Sequence, residues 1–382
     1  MKKIGYGKQF IDSDDERYLK RIIYDDLITN GKQVQIFEKK LKKKLKSKFC
    51  LVCNSATSGL FLAFKAINIK KNDIIVMPAI NFISSYSMAK QVGAKIILCD
   101  VDKETGQITP ETFEKCLKIN KIKKLKALVT MYLGGYPNNI NEFFKLKKKY
   151  KFFLIEDSCH ALGGSYKIGK KYFPIGSNRH SDISIFSFHP VKPITTGEGG
   201  AITTNNSKIF QKIQLLRNHG IVRKSKYWDY DIKELSFNFR ISDLNCALGI
   251  TQLKKINKFI EKRNEIYKWY NEYFGNLKNI KLIKVQKNTR SSYHLILLNI
   301  NFDQFNIDKD IFLKKLNKKN IFLQFHYKPI FLFSFFKQKR NYLKNSIKYM
   351  SNTVSLPVFH ELRKKDIDRI SKIIFSVLKK PF

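Results

Sequence analysis

Residues 183–200 read ISIFSFHPVKPITTGEGG, and this stretch contains the features that decide both the fold and the site. It begins with a short run of β-branched and aromatic residues, which predicts a buried strand. Pro193 biases Lys192 away from helical geometry, so we expect this lysine in a loop directly after the strand. A partly desolvated lysine can have a lowered pKa and act as a nucleophile toward aldehydes, although a surface lysine is the usual alternative.

Short apolar runs alternate with longer segments of helical periodicity before this stretch. The runs at 49–53, 74–77, 95–99, 127–132 and 152–155 predict strands, and the segments at 55–67, 84–92, 110–117 and 140–149 predict helices. This alternation is typical of a mostly parallel sheet that is covered on both faces by helices.

The pattern changes after residue 242. A long helical segment runs from Ser242 towards Tyr273, followed by an expected strand at 292–300, a helix at 308–317, a strand at 321–325 and two helices flanking Leu356 and Pro357. We therefore predict an α/β protein with a large domain of residues 1–249 and a smaller C-terminal α+β domain of residues 250–382.

The chain is strongly basic, with 73 Lys and Arg against 31 Asp and Glu and a net charge of +42. Such a charge attracts polyanions, which include nucleic acid, anionic lipid and phosphorylated small molecules. Phe37, Leu41 and Leu45 recur every four residues, so the lysines between them are expected on the outer face of an amphipathic helix. Lysine is frequent throughout the sequence. The excess of positive charge is therefore better explained by a general amino-acid bias of the source than by a dedicated nucleic-acid-binding surface.

The sequence contains no apolar run of the ~18–20 residues that a membrane-spanning helix needs, and its basic amino terminus lacks the apolar core of a signal peptide. We expect a cytoplasmic protein without a membrane segment.

The six cysteines do not indicate a disulfide framework in such a chain. Cys50 and Cys53 have the spacing of a metal or redox pair, but they lie in an apolar run, which favours a buried strand and predicts no metal site.

Polar residues follow two of the predicted strands. In doubly wound sheets, ligands bind beyond the carboxyl ends of the strands, where the next helices begin. The segment NSATSG at 54–59 suits either a phosphate or a plain helix cap, and Asp157 is an acid at a buried strand end that requires a cation or a donor. A phosphate cradle, an aspartate and a lysine are together what pyridoxal phosphate (PLP) requires of a protein.

Four motifs make a family resemblance specific. They are EDSCHALG at 156–163, SFHPVKPITTGEGG at 187–200, NHG at 218–220 and NFRISD at 238–243. They resemble, in the same order and over nearly the whole chain, the signatures of the DegT/DnrJ/EryC1/StrS family of sugar-nucleotide aminotransferases. The resemblance implies fold type I of the PLP-dependent transferases, PLP as cofactor and L-glutamate as amino donor.

Three shorter motifs narrow the resemblance. GY at 5–6, ITNG at 28–31 and QFHYKPI at 324–330 look most similar to the family members of pseudaminic acid biosynthesis. This similarity implies that the amino group is transferred to C4 of a UDP-linked 4-keto-6-deoxy-N-acetylhexosamine. An aminotransferase of the same family that acts on another nucleotide-linked 3- or 4-keto sugar is the alternative.

The resemblance also implies a role for each matching residue. Lys192 would carry PLP as a Schiff base and move the proton between donor and cofactor, while Asp157 would pair with the pyridine nitrogen. His160 stands where many relatives have Gln and would donate to the ring hydroxyl, and Phe82 would stack on the ring. The implied phosphate ligands are Ala56, Thr57, Ser187 and, from the other subunit of a homodimer with shared active sites, Asn238. The implied sugar-nucleotide contacts are Tyr6, Thr29, His326, Tyr327 and Lys328.

Two other functions are weighed against transamination. Some family members dehydrate their substrates, but these have histidine in place of the lysine, so Lys192 argues against this reading. A basic nucleic-acid-binding protein would explain the charge and not the motifs, and the sequence has no known nucleic-acid recognition module.

Overall fold

Helices and strands alternate through the first half of the chain. The structure, a computed structural model, describes residues 3–226, 228–336 and 343–379. The helices are α1 (Ser13–Ile22), α2 (Lys32–Leu45), α3 (Ala56–Ala66), α4 (Ile83–Gln91), α5 (Pro110–Ile119), α6 (Ile140–Tyr150), α7 (Ser207–Arg217), α8 (Asp243–Lys254), α9 (Ile256–Phe274), α10 (Lys309–Lys318), α11 (Lys344–Asn352) and α12 (Lys364–Val377). The strands are β1 (Phe49–Cys53), β2 (Ile74–Pro78), β3 (Lys95–Cys99), β4 (Ala127–Met131), β5 (Phe153–Asp157), β6 (Ser165–Ile168), β7 (Lys171–Pro174), β8 (Ile183–Ser187), β9 (Gly200–Thr204), β10 (Ile221–Arg223), β11 (Tyr230–Ile232), β12 (Ile280–Leu282), β13 (Thr289–Arg290), β14 (Ile296–Ile300) and β15 (Thr353–Leu356).

The central sheet has the strand order β1-β9-β8-β5-β4-β2-β3. Strand β2 pairs in parallel with β3 and β4, and β5 pairs in parallel with β4 and β8. Every residue of β4 is buried, because helices cover both faces of the sheet. The mostly parallel α/β sheet expected from the alternating pattern is confirmed.

Strand β9 was not predicted from the sequence. It runs antiparallel between β1 and β8, and all five of its residues are buried. Its sequence, GAITT, offers a single large apolar residue and so gives no hydrophobic run. The strand is buried because its two neighbours enclose it, which is tertiary context that local propensity does not carry.

The C-terminal part contains the antiparallel sheet β12-β14-β15, with α9, α10 and α12 packed around the same apolar core. The strand expected at 321–325 was wrong: Ile321 pairs only with Ile4 and Gln324 only with Ser355, each through an isolated bridge. The segment contacts two different partners in turn, so no continuous ladder forms. The long helix expected from Ser242 is divided at Lys255 into α8 and α9.

The domain boundary proposed between residues 249 and 250 falls inside α8, and this division stays a prediction.

Cys50 and Cys53 lie in β1, where burial raises the pKa of both thiols, that of Cys53 to about 12. Among the helices of the described residues, none combines the length and the apolar character needed to cross a bilayer.

The first turn of α2 is capped by a residue that lies far away in sequence. Asp243 is fully buried, and its carboxylate accepts hydrogen bonds from the amides of Gly31 (2.7 Å), Gln33 (2.7 Å) and Val34 (3.2 Å). A Cβ at Gly31 would meet an oxygen of Asp243 at 2.9 Å, so glycine permits this approach. The amide of Asp243 in turn donates to the carbonyl of Ile28 (2.8 Å). These bonds fix the segment 28–31 against the start of α8.

We expect Asp243→Ala to destabilise the protein, because it leaves three amides at the start of α2 without their acceptor. Unpaired buried donors cost about 1–3 kcal/mol, and urea unfolding would measure the loss. Asp243→Asn keeps the shape and one acceptor oxygen and should lose less. Equal stability of the alanine variant and the natural protein would contradict this account of the cap.

Candidate active site

A cavity of about 370 Å³ lies at the carboxyl ends of β4, β5 and β8. Met131, Asp157 and Ser187 end these three strands, and all three residues line the cavity. This is the edge at which parallel sheets bind ligands. Ten of the residues singled out in the sequence meet here: Tyr6, Ala56, Thr57, Phe82, Asp157, His160, Ser187, Lys192, His326 and Tyr327.

The start of α3 and the end of β8 form one side of the cavity. Gly200 pairs in register with Ser187 on one neighbouring strand and with Cys53 on the other. A Cβ on Gly200 would lie 2.6 Å from the amide nitrogen of Ala56, so only glycine lets β9 pass this close. The first amides of a helix have no intrahelical acceptor, and with the Ser187 hydroxyl they suit a phosphate.

Asp157 is 3% exposed at the end of β5. Its carboxylate accepts hydrogen bonds from Ser85 Oγ (3.1 Å) and from the amide of Cys159 (3.3 Å). Asn81 donates in turn to Ser85 Oγ (3.2 Å). A buried carboxylate with only neutral donors around it suits a cationic ligand group.

Lys192 follows β8 in the loop that the sequence predicted, and its amide donates to the carbonyl of His189 (2.9 Å). Burial lowers the pKa of its amine below the ordinary 10.5, while Cys159 and Asp157 act in the opposite direction. A lowered pKa increases the fraction of neutral amine, which is the nucleophilic form.

His160 is fully buried, and both of its ring nitrogens have partners. Nδ1 accepts a hydrogen bond from the amide of Gly134 (3.1 Å), and Nε2 lies 3.0 Å from the hydroxyl of Tyr327. Burial, together with Lys192 and His326, holds the pKa of this imidazole well below its usual value. A neutral imidazole whose Nδ1 accepts from an amide carries its proton on Nε2, which is the tautomer that these contacts favour.

The C-terminal part supplies the opposite wall. Nδ1 of His326 lies 2.8 Å from Ser355 Oγ, and its carbonyl accepts from the hydroxyl of Tyr349 (2.9 Å). Burial lowers the pKa of His326 to about 3, so this side chain is also neutral. Tyr6 packs against His326 with ring centroids 5.3 Å apart. This wall presents neutral polar groups and aromatic faces.

Three predicted substrate or cofactor residues lie outside the cavity of the single chain. Thr29 is exposed, and its backbone bridges to Ser242. Asn238 is exposed, and its side-chain oxygen accepts from the amide of Arg240 (3.1 Å). Lys328 is exposed, with its ammonium 5.2 Å from the centroid of the Phe333 ring. Their predicted roles stay predictions.

Several lining residues were missed by the sequence reasoning. His294 belongs to a segment that was predicted as a strand, where a lone histidine gives no signal of a site. Ser85, which holds Asp157 but is not among the lining residues, lies in α4 and matches none of the quoted motifs. Ser84 and Met131 line the cavity and also lie outside those motifs. The lining residues that lie within the motifs but were given no role are Ser55, Cys159, His189, Val191 and Glu198.

The residues present fit PLP. The glycine-permitted approach of β9 to α3 leaves a cradle for a phosphate, Asp157 offers a buried carboxylate, and Lys192 offers an amine of lowered pKa in the same cavity. Phe82, 54% exposed and 5.8 Å from the Tyr327 ring, offers an aromatic face. Within residues 3–226, 228–336 and 343–379, no group of three or more His, Cys, Asp or Glu side chains is arranged to hold a metal ion.

Comparisons with known proteins identify the family of the chain. Residues 9–375 match the model of the DegT/DnrJ/EryC1/StrS aminotransferase family. The UDP-4-amino-4,6-dideoxy-N-acetyl-beta-L-altrosamine transaminase of Campylobacter jejuni subsp. jejuni serotype O:23/36 (strain 81-176) is 40% identical, over 99% of this chain and 98% of that one. The transaminase of the same name from Helicobacter pylori (strain ATCC 700392 / 26695) is 31% identical, over 99% and 98%. The solved structure of Helicobacter pylori PseC, an aminotransferase involved in the biosynthesis of pseudoaminic acid, superposes with a TM-score of 0.90 at 29% identity, over 99% of this chain and 100% of that one. This chain belongs to the DegT/DnrJ/EryC1/StrS aminotransferase family.

Proposed function

We propose that this aminotransferase uses PLP to move the amino group of L-glutamate to C4 of a UDP-linked 4-keto-6-deoxy-N-acetylhexosamine. The observation that carries the proposal is the meeting of Lys192, Asp157 and the start of α3 in one cavity. The substrate is inferred from relatives that are named for the corresponding 4-amino sugar nucleotide and that match over nearly the whole chain.

Lys192 provides the amine that holds the cofactor and later moves a proton. When bound, PLP supplies an aldehyde that accepts amines and a ring that accepts an electron pair. Burial lowers the pKa of the Lys192 amine, so Nζ would be the neutral nucleophile that holds the cofactor. When not attached to the cofactor, the same nitrogen would be the base positioned to take a proton from the amino donor and to return it.

Asp157 and His160 orient the ring and control its charge. The Asp157 carboxylate, fixed by Ser85, would keep a proton on the pyridine nitrogen. The Nε2 proton of His160, directed at Tyr327 in this structure, is the donor available to the ring hydroxyl. Because the amide of Gly134 occupies Nδ1, the imidazole cannot present the opposite tautomer without losing that bond.

A homodimer would complete the site. Asn238 and Thr29 lie outside the cavity, and exposed apolar side chains are close to both in sequence. Leu235 (84% exposed) and Phe237 (63%) precede Asn238, and Leu27 (59%) precedes Thr29. Exposed apolar groups in such density mark a contact surface. A second copy of the chain that covers them would bring Asn238 towards a neighbouring phosphate cradle.

We also expect the protein in the cytoplasm, which fractionation of the source cells would test.

We expect Thr29 and Lys328 to contact the nucleotide and Tyr6, His326 and Tyr327 to contact the sugar. Among these, Tyr6, His326 and Tyr327 line the cavity of the single chain.

The natural protein, loaded with PLP, should transfer the amine of L-glutamate to a UDP-linked 4-keto sugar. A panel of UDP- and dTDP-linked 3- and 4-keto sugars, followed by mass spectrometry, measures this. Lys192→Arg should abolish transfer and the covalent adduct that borohydride fixes at residue 192, because arginine stays protonated. Lys8→Arg, a change at a lysine that lines a smaller cavity beside Lys192, serves as the control. Amine transfer by Lys192→Arg would refute the assignment, and transfer only to another keto sugar would refute the substrate.

We expect Asp157→Asn to lower turnover by about 100-fold or more, because a neutral amide would not keep the pyridine nitrogen protonated and the ring would accept an electron pair less readily. Asp157 raises the pKa of Lys192, so its removal should lower that pKa further below 10.5. The rate of cofactor attachment to the apoprotein, measured against pH, should therefore rise at lower pH in the variant. Ser85→Ala keeps the carboxylate and should leave the midpoint of this pH profile, the pH at which the rate is half-maximal, unchanged. A midpoint shifted upward in Asp157→Asn would contradict this electrostatic reading.

The double variant Leu235→Asp, Phe237→Asp should shift the protein from dimer to monomer in sedimentation velocity, because charges replace apolar contacts at the covered surface. Ile119→Asp, at an exposed isoleucine (44%) of α5, is the matched control and should stay dimeric. Mixed and re-associated Lys192→Ala and Asn238→Ala chains should regain part of the activity that each lacks. A natural protein that sediments as a monomer would refute the shared site.

A further inference from the structure

His294 is a lining residue of the active-site cavity to which no role has yet been given. It is 3% exposed, and its ring packs against that of His160 with centroids 4.2 Å apart. It stands in the wall formed with Tyr6, His326 and Tyr327. This wall carries the residues proposed to contact the sugar.

Both neighbouring imidazoles have protein partners, whereas no hydrogen bond to the His294 ring is found among the described residues. His160 uses both ring nitrogens, and Nδ1 of His326 faces Ser355. Nδ1 of His294 is buried and has no hydrogen-bond partner among the described residues. Because an unpaired buried N–H is rarer than an unpaired acceptor, we place the proton on Nε2. With Nδ1 shielded, the ring meets the cavity through its other atoms, which include Nε2.

Hydrogen bonds fix the backbone on both sides of His294. Arg263 is buried, and its guanidinium donates to the carbonyls of Tyr293 (3.2 Å) and His294 (3.1 Å). The amide of Leu295 donates to the carbonyl of Gly134 (3.1 Å). With its backbone fixed by these bonds and its ring packed against His160, the side chain loses little freedom when a ligand binds.

The charge around His294 favours a neutral ligand group. Burial is the main reason that its pKa lies well below the usual value, and His160, Lys192, Arg263 and His326 lower it further. A neutral imidazole donates well to a hydroxyl or an amide oxygen, whereas the carboxylates of an amino donor seek a cation.

We propose that His294 is a specificity-determining residue whose Nε2–H donates a hydrogen bond to a hydroxyl or acetamido oxygen of the acceptor sugar. This inference rests on the proposed function, since it presumes a sugar nucleotide in the cavity. It assigns to His294 a contact with the acceptor and none with the amino donor.

Titration calorimetry of the PLP-loaded protein with UDP and with UDP-N-acetylglucosamine, a stable sugar nucleotide, isolates the contribution of the sugar. His294→Phe keeps the ring packing against His160 and removes both nitrogens. It should weaken UDP-N-acetylglucosamine binding about 3–10-fold, the range of one neutral hydrogen bond, and leave UDP binding unchanged. His294→Gln keeps an N–H donor and should restore most of the affinity. His180→Phe, at a histidine packed against Phe144 and Tyr166 and not among the lining residues, is the control.

The two half-reactions give a second measurement. In His294→Phe, the rate at which L-glutamate converts the bound cofactor should stay within about twofold, while the KM for the keto sugar rises by the factor seen in calorimetry. Equal slowing of both half-reactions would overturn the proposal, because it would mean that His294 acts by supporting His160. Unchanged affinity for UDP-N-acetylglucosamine would overturn it as well. Failure of the natural protein to aminate any keto sugar would instead refute the proposed function, whatever the binding data show.

Discussion

The close approach of β9 to the first turn of α3 is the constraint on which the site depends. A side chain on Gly200 would collide with the backbone of Ser55 and Ala56 at 2.6 Å. Because β9 is inserted between β1 and β8 in full register, this glycine stands level with Ser187 on one side and Cys53 on the other. The amides at the start of α3 and the hydroxyl of Ser187 are thus brought together by backbone geometry, although they are far apart in sequence. Lys192 lies in the loop between β8 and β9, which ends at this glycine.

The cavity combines few charges with many neutral polar groups, and this balance determines what its residues can do. Burial lowers the pKa of Lys192 and of His160, so an amine that is readily deprotonated faces imidazoles that stay neutral. A second cation in so small a volume would be repelled, since charges in a dry site interact more strongly than in water. Asp157 is then the acid that balances Lys192, and its partner Ser85 is a neutral donor that holds the carboxylate without neutralising it.

The sequence predicted the elements that carry their own pattern and missed those that other elements create. Strand β1 and helix α6 were predicted almost to the residue, because apolar runs and helical periodicity are local properties. Strand β9 has no such run, and the segment 321–325 has a strand-like composition but contacts two unrelated partners. Within the site, the motifs located Lys192, Asp157 and His160, because the chemistry of the cofactor requires particular residue types at these positions. They did not locate His294, because its position depends on the path of the loop between β13 and β14.

The segments that carry His160 and His294 are joined through one crowded contact. Gly135 has a φ of 88°, and a Cβ there would lie 2.1 Å from Ser292 Oγ and 2.6 Å from the carbonyl of His160. Ser292 Oγ itself donates to that carbonyl (2.6 Å), and the amide of Gly134 donates to the His160 ring (3.1 Å). The glycines therefore hold His160 and, through Ser292, the loop that carries His294. A shift of one would displace the other, because the backbone leaves no room between them. His160 and His294 are consequently parts of a single packing arrangement, which explains why two neutral imidazoles from distant segments stand 4.2 Å apart in this cavity.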